Sequence, residues 1–379
     1  MIQHLELRKQ LHSQPELSGQ EENTSQVIHT LIKSYKPDNI ITGIGGFGIA
    51  AVFDGKQSGP KVMIRCELDA LPIPETLDIP YRSEVRGVSH KCGHDGHMTI
   101  VAGLAEYLHA NQPARGSVIL LFQPAEETGE GAEKVINDVN FQHIQPDFVI
   151  ALHNLPGYPL GQVVTRKGVF ASASSGLRIH LQGKTSHAAE PEAGNSPALA
   201  VAQLIQVLSS IPQFHTSLHE PAQVTVIHAR LGDVAFGTSP GEGDVMITLR
   251  SHSQDVIESL IEKAISIAKS SSDMFGLKVT IDSTELFPPT NNNADIVSLI
   301  EESASETGLS IHQRDIPFAW SEDFGHFTSK YKGALFGIGA GENHPALHHP
   351  DYDFPDDLIQ PGINMFSEII TRLLSNNEN

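Results

Sequence analysis

Cysteine is nearly absent: Cys66 and Cys92 are the only two among 379 residues. Two thiols cannot build a disulfide framework, and no C-x₂₋₄-C pairs exist to close a structural zinc site. No apolar run approaches the roughly 18 residues of a membrane-spanning helix. The opening stretch "MIQHLELRKQLHSQPELSGQ" lacks the apolar core of a secretory leader. With thiols this rare, the expectation is a cytoplasmic protein with no membrane partner. Basic charge is also scarce, with 25 Lys and Arg against 45 Asp and Glu and a formal net charge of −20. That balance disfavours nucleic acid, whose phosphates need clustered cations. No low-complexity tract or repeat of fixed period occurs. What remains is a globular composition long enough for two domains.

Histidine, by contrast, is abundant at 20 residues. It concentrates in "SHKCGHDGHM", which holds a thiol, three imidazoles and a carboxylate between His90 and His97. The surrounding pattern is α/β. Ser18 and Glu21, three apart, match a capping box ahead of "VIHTLIKSY". Strands are expected at 47–53 and 61–68, a helix at 97–111, and short apolar strands at 116–122 and 147–152. Continuous apolar runs of this kind suit strands covered on both faces, hence a largely parallel sheet. From about 169 the order changes to strand, helix, two strands, helix, strand, ending near 284, the split βαβ order of ferredoxin-like domains. The reading is a catalytic domain in two segments, 1–168 and 287–379, with an inserted domain at 169–286.

Ligands in open α/β sheets bind beyond the carboxyl ends of the strands. "SVILLF" runs into Gln123-Pro124-Ala125-Glu126-Glu127, and "DFVIAL" runs into His153-Asn154. The loop after "RCELDALP" leads to the histidine-rich motif, and His344 to Pro350 precede the closing helix expected at 356–375. Each site alone has an ordinary explanation: a solvated helix start, a polar strand cap, a surface turn. A Cys92 nucleophile with His94 or His97 as base is a second possibility, but it leaves the glutamates unused. Thiolate, imidazole and carboxylate together suit zinc or another late first-row ion. Such a set, with one carboxylate left over, fits hydrolysis by a metal-activated water.

Taken in order, "HKCGHDGHM", "VILLFQPAEETGEGA", "ALHNLPGYPLGQV", "GKTSHAAEP" and "ALHHPDYDFPDD" resemble the metal-dependent amidohydrolases of the aminoacylase/carboxypeptidase-like metallopeptidase family. The nearest branch holds hippurate hydrolases, auxin-conjugate hydrolases and N-acyl-amino-acid deacetylases. "LRKQLHSQPELSGQEENTS" and "SEDF" extend the likeness over nearly the whole chain. The resemblance implies a zinc-exopeptidase-like α/β catalytic domain and an inserted ferredoxin-like α+β lid that also forms a homodimer. It implies metal ligands at Cys92, His94, Glu127, His153 and His348, with the thiolate bridging two divalent ions per subunit. Zinc or manganese are the first candidates, cobalt and nickel the next. Glu126 takes the place of the general base and acid, His187 that of an oxyanion stabiliser reaching across the dimer, and Arg250 that of the residue holding a substrate carboxylate. Asp69, Asp95 and His97 take the place of residues that orient ligands; His90 has no assigned task.

The implied activity is hydrolysis of the amide of N-acyl amino acids or similar small conjugates. The alternative on the same scaffold is a dipeptidase or aminopeptidase, with a non-catalytic metal-binding protein as a further reading. Three positions depart from the family's usual residues: Glu67 stands for Asp, Gly237 for Asn, and Trp320-Ser321 for a Gly pair.

Overall fold

The computed structural model of the protein describes residues 2–375. The apolar runs become the strands Arg115–Gln123 and Phe148–Pro156. Residues of both parities are buried along them, so both faces of the sheet are covered. Eight strands run in the order Asn39–Ile44, Gly48–Asp54, Arg115–Gln123, Gln57–Glu67, Phe148–Pro156, Lys332–Gly341, Val163–Thr165 and Ile311–Gln313. The third to the sixth pair in parallel. The first two form an antiparallel hairpin, and Gly48–Asp54 is antiparallel to Arg115–Gln123. Val163–Thr165 runs antiparallel to Lys332–Gly341 and parallel to Ile311–Gln313. The sheet is therefore mixed, which corrects the expectation of a largely parallel one. Only the long crossovers give parallel pairs. Gly45 and Gly46, at φ 63° and 121°, turn the chain so tightly that the next strand can only reverse direction.

Helix His94–Ala110 is apolar nearly all round, and it is buried nearly all round. It packs against Ile2–Ser13 and Ile359–Ser375. Gly93 precedes it at φ 92°, and a Cβ there would lie 2.6 Å from the Asn154 side chain. The histidine-rich motif can enter the helix only because that position is glycine.

The expected capping box does not form. Helix Glu22–Ser34 receives no cap from Glu21. Instead Glu16 accepts from Asn23 N at 3.2 Å and Thr24 N at 2.7 Å, filling the role that the S-x-x-E spacing assigned to Ser18 and Glu21. Those two side chains are released for other partners.

The described residues fall into two compact units. One comprises the chain up to Phe170, Thr290–Pro317 and the chain from Glu322 onward; the other comprises Ala171–Pro289 and Phe318–Ser321. In the second unit, four antiparallel strands run in the order Ala222–Leu231, Glu242–Ser251, Ala173–Gln182 and Lys278–Phe287. Helices Ala198–His215 and Gln254–Met274 share one core with this sheet. The strand contributes Leu177, Ile179 and Leu181, and the helices contribute Leu204, Leu208 and Leu260. The spacing of two along the strand puts all three side chains on the packed face. Alternation of buried and solvated residues over Leu177–Gln182 follows from having only that face covered. Among the described residues, no helix is long and apolar enough to cross a membrane.

Candidate metal centre

Four chain segments of the first unit end at one place. The strand Arg115–Gln123 stops at Pro124, and Ala125 then adopts φ 53°. A left-handed alanine costs roughly 1–2 kcal/mol, and it turns the following Glu126 and Glu127 back toward the strand ends. His153 lies inside the strand Phe148–Pro156. Cys92 and His94 flank Gly93 at the start of helix His94–Ala110. His348 sits in a loop at φ 64°, its backbone N–H donating to Lys91 O at 2.8 Å.

The donor atoms converge, with the Cys92 thiol in hydrogen-bond contact with His153 and with Glu127. Cys92 Sγ is 3.5 Å from His153 Nε2. His94 Nε2 is 3.8 Å from Glu127 Oε1 and 3.9 Å from Glu126 Oε2, and His348 Nε2 is 3.7 Å from Glu127 Oε2. Cys92, His94 and His153 form one group with ligand atoms within 4.8 Å of each other; Cys92, Glu127 and His348 form another. The thiol belongs to both. The other ring nitrogens of His94 and His153 are engaged: His94 Nδ1 donates to Asp69 O at 2.8 Å, and His153 Nδ1 donates to Asn154 O at 2.9 Å. Both imidazoles thus turn Nε2 inward. His94 Nε2 and Glu127 Oε1 are buried and have no hydrogen-bond partner. Donors on one tetrahedral ion lie roughly 3.3–3.6 Å apart, so spacings of this size suit a shared cation better than direct hydrogen bonds.

Electrostatics agree with that fit. Burial, then Glu322 and Glu127, push the Glu126 carboxyl well above its usual range. Burial, reinforced by Asp69 and opposed by His94, lifts Glu127 to about 7. Burial and both glutamates likewise raise the Cys92 thiol. Burial opposes a charge on His94, yet Asp69, Glu67 and Glu127 outweigh it and hold that imidazole up to about 10. The pocket therefore favours positive charge and penalises each further negative one. A divalent cation would supply that charge and return the thiol and carboxylates to their ligating forms. His153, lowered to about 3 by burial and by His97, presents a neutral lone pair.

Residues 63–372 match peptidase family M20/M25/M40. The chain belongs to that family. The N-acetyl-L-cysteine deacetylase of Bacillus subtilis is 31% identical over 98% of this chain and 88% of its own. The hippurate hydrolase of Campylobacter jejuni is 30% identical over 97% and 96%. A dinuclear metal-binding M20 peptidase from Bacillus subtilis superposes with a TM-score of 0.81, at 23% identity over 99% of this chain and 98% of that one. With such relatives along its whole length, this M20/M25/M40 member is a hydrolase of amide bonds.

Around these donors the structure reveals supports that local sequence reasoning missed. His97 is not among the inward-facing donors: its Nδ1 meets Glu67 and its Nε2 meets Asn154 Oδ1, each at 2.6 Å. Glu67, the departure from Asp, also pairs with Arg65, which is fully buried. Arg65 further contacts Glu322 at 3.0 Å, Gln123 at 2.8 Å and Asp323. The signal for Arg65 was a charge within the apolar stretch between Val62 and Cys66, a placement chains rarely keep without partners. His349 pairs with Asp351 on the surface, away from the donors. His90 is buried with neither ring nitrogen bonded, and nothing in the structure explains it.

A second buried network ties the two ligand loops together. Arg8 Nη1 reaches Asp353 at 2.7 Å and Asp95 at 3.3 Å. His12 bonds Asp95 through Nδ1 and Glu75 through Nε2, both at 2.8 Å. Lys91 joins Glu75 to Tyr352 O, and Tyr81 donates to Asp353 at 2.7 Å. Burial disfavours charge on His12, but Asp95 and Glu75 outweigh it and raise its pKa from 6.5 to about 9. A raised folded-state pKa stabilises below the unfolded value and loses that contribution as pH rises through the folded one. Glu75 behaves oppositely: burial is outweighed by His12 and Lys91, which hold it at about 2, so its share is lost only in acid. The stability gap between wild type and His12→Gln is therefore expected to be widest near pH 5–6.5, on the order of 3 kcal/mol. It should narrow steadily toward pH 9–10 in urea denaturation at each pH. A gap independent of pH would show that His12 is neutral in the fold.

The other proposed site residues lie in the second unit. His187 is exposed, and its Nδ1 accepts from Ala189 N at 3.0 Å, leaving Nε2 to carry the proton outward. Its strand pairs with Thr238–Ser239, next to Gly237. Arg250 is on the inner strand Glu242–Ser251 of its sheet. Its Nη1 donates to Ala319 O and Ser321 Oγ, each at 3.1 Å. Phe318 and Trp320 stack at 4.7 Å in the same segment.

Proposed function

We propose that this chain is a dinuclear metal-dependent amidohydrolase that cleaves the amide of N-acyl amino acids or similar small conjugates. The observation that supports it is the convergence of Cys92, His94, Glu127, His153 and His348 around a sixth group, Glu126, that no strong hydrogen bond engages. Its side chain accepts from Asp323 N at a long 3.4 Å. Zinc or manganese, with cobalt or nickel as further candidates, would be held by the five donors, of which Cys92 belongs to two of the groups. Bound there, the ions supply Lewis acidity toward the carbonyl and lower the pKa of water.

The protein's own part follows from the side chains. Glu126 takes the proton of the attacking water and returns it to the leaving amine nitrogen. Its raised pKa suits it to hold that proton between the two steps. Asp69 and Asn154 carbonyls keep Nε2 of His94 and His153 pointed inward. His187, with Nε2–H free of the loop, is proposed to stabilise the oxyanion from the partner subunit. Arg250 is proposed to hold the substrate carboxylate. Arg250→Ala should then raise KM about 10- to 100-fold, the worth of a charge-assisted contact, with kcat little changed. A fall in kcat at constant KM would reject that role.

We read the second unit, with its β-α-β-β-α-β order, as a ferredoxin-like lid that also forms a homodimer. Support comes from Phe214, Leu218, Ile227, Val234 and Phe236, all of them exposed there. Sedimentation that finds an active monomer would remove His187's proposed role. The deciding experiment for the activity is metal analysis with a panel of N-acetyl and N-benzoyl amino acids beside free-amino dipeptides. Turnover of blocked substrates supports the amidohydrolase. Turnover of free-amino dipeptides alone would favour the peptidase reading.

A further inference from the structure

Ser18 and Glu21 are the motif residues that neither the cap nor the metal ligands use. Glu21 is fully buried. Its Oε1 accepts from Gly19 N and from Ala125 N, each at 2.8 Å. Ala125 is the left-handed residue directly before Glu126. Ser18 Oγ donates to Asp69 Oδ2 at 2.6 Å, and the same oxygen accepts from Glu127 N at 3.0 Å. Among the described residues, no Lys, Arg or His stands within ion-pair distance of Glu21. A carboxylate buried without a countercharge is costly, and helix capping does not account for it because Glu16 does that work. The loop is anchored besides by Ala70 N donating to Glu16 O at 2.8 Å.

We propose that Glu21 and Ser18 are positioning residues that clasp the Glu126–Glu127 turn from the N-terminal loop. Glu21 holds Ala125 N–H in the one backbone conformation that aims Glu126 at the reacting atoms. Ser18 orients Asp69 so that it grips the backbone N–H of Glu127. The clasp acts on the geometry of the turn and touches neither substrate nor metal. This inference rests on the assignment of Glu126 as the base.

The test compares Glu21→Ala, Glu21→Gln and the double variant Glu21→Ala/Ala125→Gly in the metal-loaded full-length enzyme, with Glu126→Gln assayed alongside. Displacement of a catalytic group by a fraction of an ångström to one ångström costs up to about 100-fold. Glu21→Ala is therefore expected to lower kcat about 10- to 100-fold at unchanged KM and metal content. Glu21→Gln keeps an oxygen for Ala125 N and should recover most of the rate. Glycine at 125 adopts positive φ freely, so the double variant should regain part of the loss. A merely structural role predicts neither rescue. Should Glu21→Ala fail to fold, Glu21→Gln against Ser18→Ala reads the same split: near-normal kcat in the first and a reduced kcat in the second. Wild-type kcat in folded Glu21→Ala, or equal losses in the Ala and Gln variants, overturns the clasp. If Glu126→Gln is itself active, the assignment of the base has failed; if it is inactive while Glu21→Ala is normal, only the clasp has.

Discussion

Glu126→Gln is expected to lower kcat/KM on N-acyl amino acids by about 10³-fold, the scale of a lost general base, with the metal content unchanged. The substitution keeps the side chain's size and its contact with Asp323 N but removes the site that accepts a proton. Glu126 differs from its neighbour in partners. Glu127 groups with the Cys92 thiol and His348 as well as with His94, whereas Glu126 groups with His94 and Glu127, at 3.9 Å from His94 Nε2. Loss of Glu127 should therefore strip metal, and loss of Glu126 should spare it. Metal analysis and turnover measured on the same preparation separate the two. A Glu126→Gln enzyme with full turnover would end the assigned mechanism.

Arg65→Leu is expected to cost about 3–5 kcal/mol of stability, the usual penalty for leaving buried charges without their partner. Arg65 has no exposure, and it faces Glu67, Glu322 and Asp323 together. Burial disfavours ionised Glu67, and Arg65 first, then His97, outweighs that and keeps it ionised. Removing the guanidinium leaves several carboxylates close together in a medium that screens them poorly. Arg65→Lys should fall between, because one ammonium cannot fork toward three acids and Gln123 at once. Urea denaturation of the three proteins reads the order directly. A leucine variant within about 1 kcal/mol of wild type would show that the carboxylates take up protons instead and need no cation.

The candidate site was legible because strand ends in an α/β sheet point one way. "SVILLF" before Glu126-Glu127 and "DFVIAL" before His153 place polar residues at the same rim whatever the side chains do later. The resemblance then named the ligands, and the folded chain brings all five together. The supports were not legible in the same way. Arg65 and Asp323 are 258 positions apart, and His12 and Asp95 are 83 apart. No local period announces such pairs. Ser18 and Glu21 show the ambiguity most plainly, since S-x-x-E specifies a cap only when no better partner is near.

By itself, then, the sequence determined the α/β alternation, the second unit's strand and helix order, and the placing of polar side chains at the strand ends, among which the family resemblance picked five candidate ligands. Each follows from apolar periodicity or from residue chemistry at a strand end, and both are local. Tertiary structure alone decided the mixed direction of the sheet, which nitrogen of each histidine faces inward, and which carboxylates Arg65 holds. It also decided that Glu16 caps the helix while Ser18 and Glu21 turn toward the Glu126–Glu127 turn. Those outcomes depend on which distant segments meet, and burial makes every unpaired polar group seek a partner there.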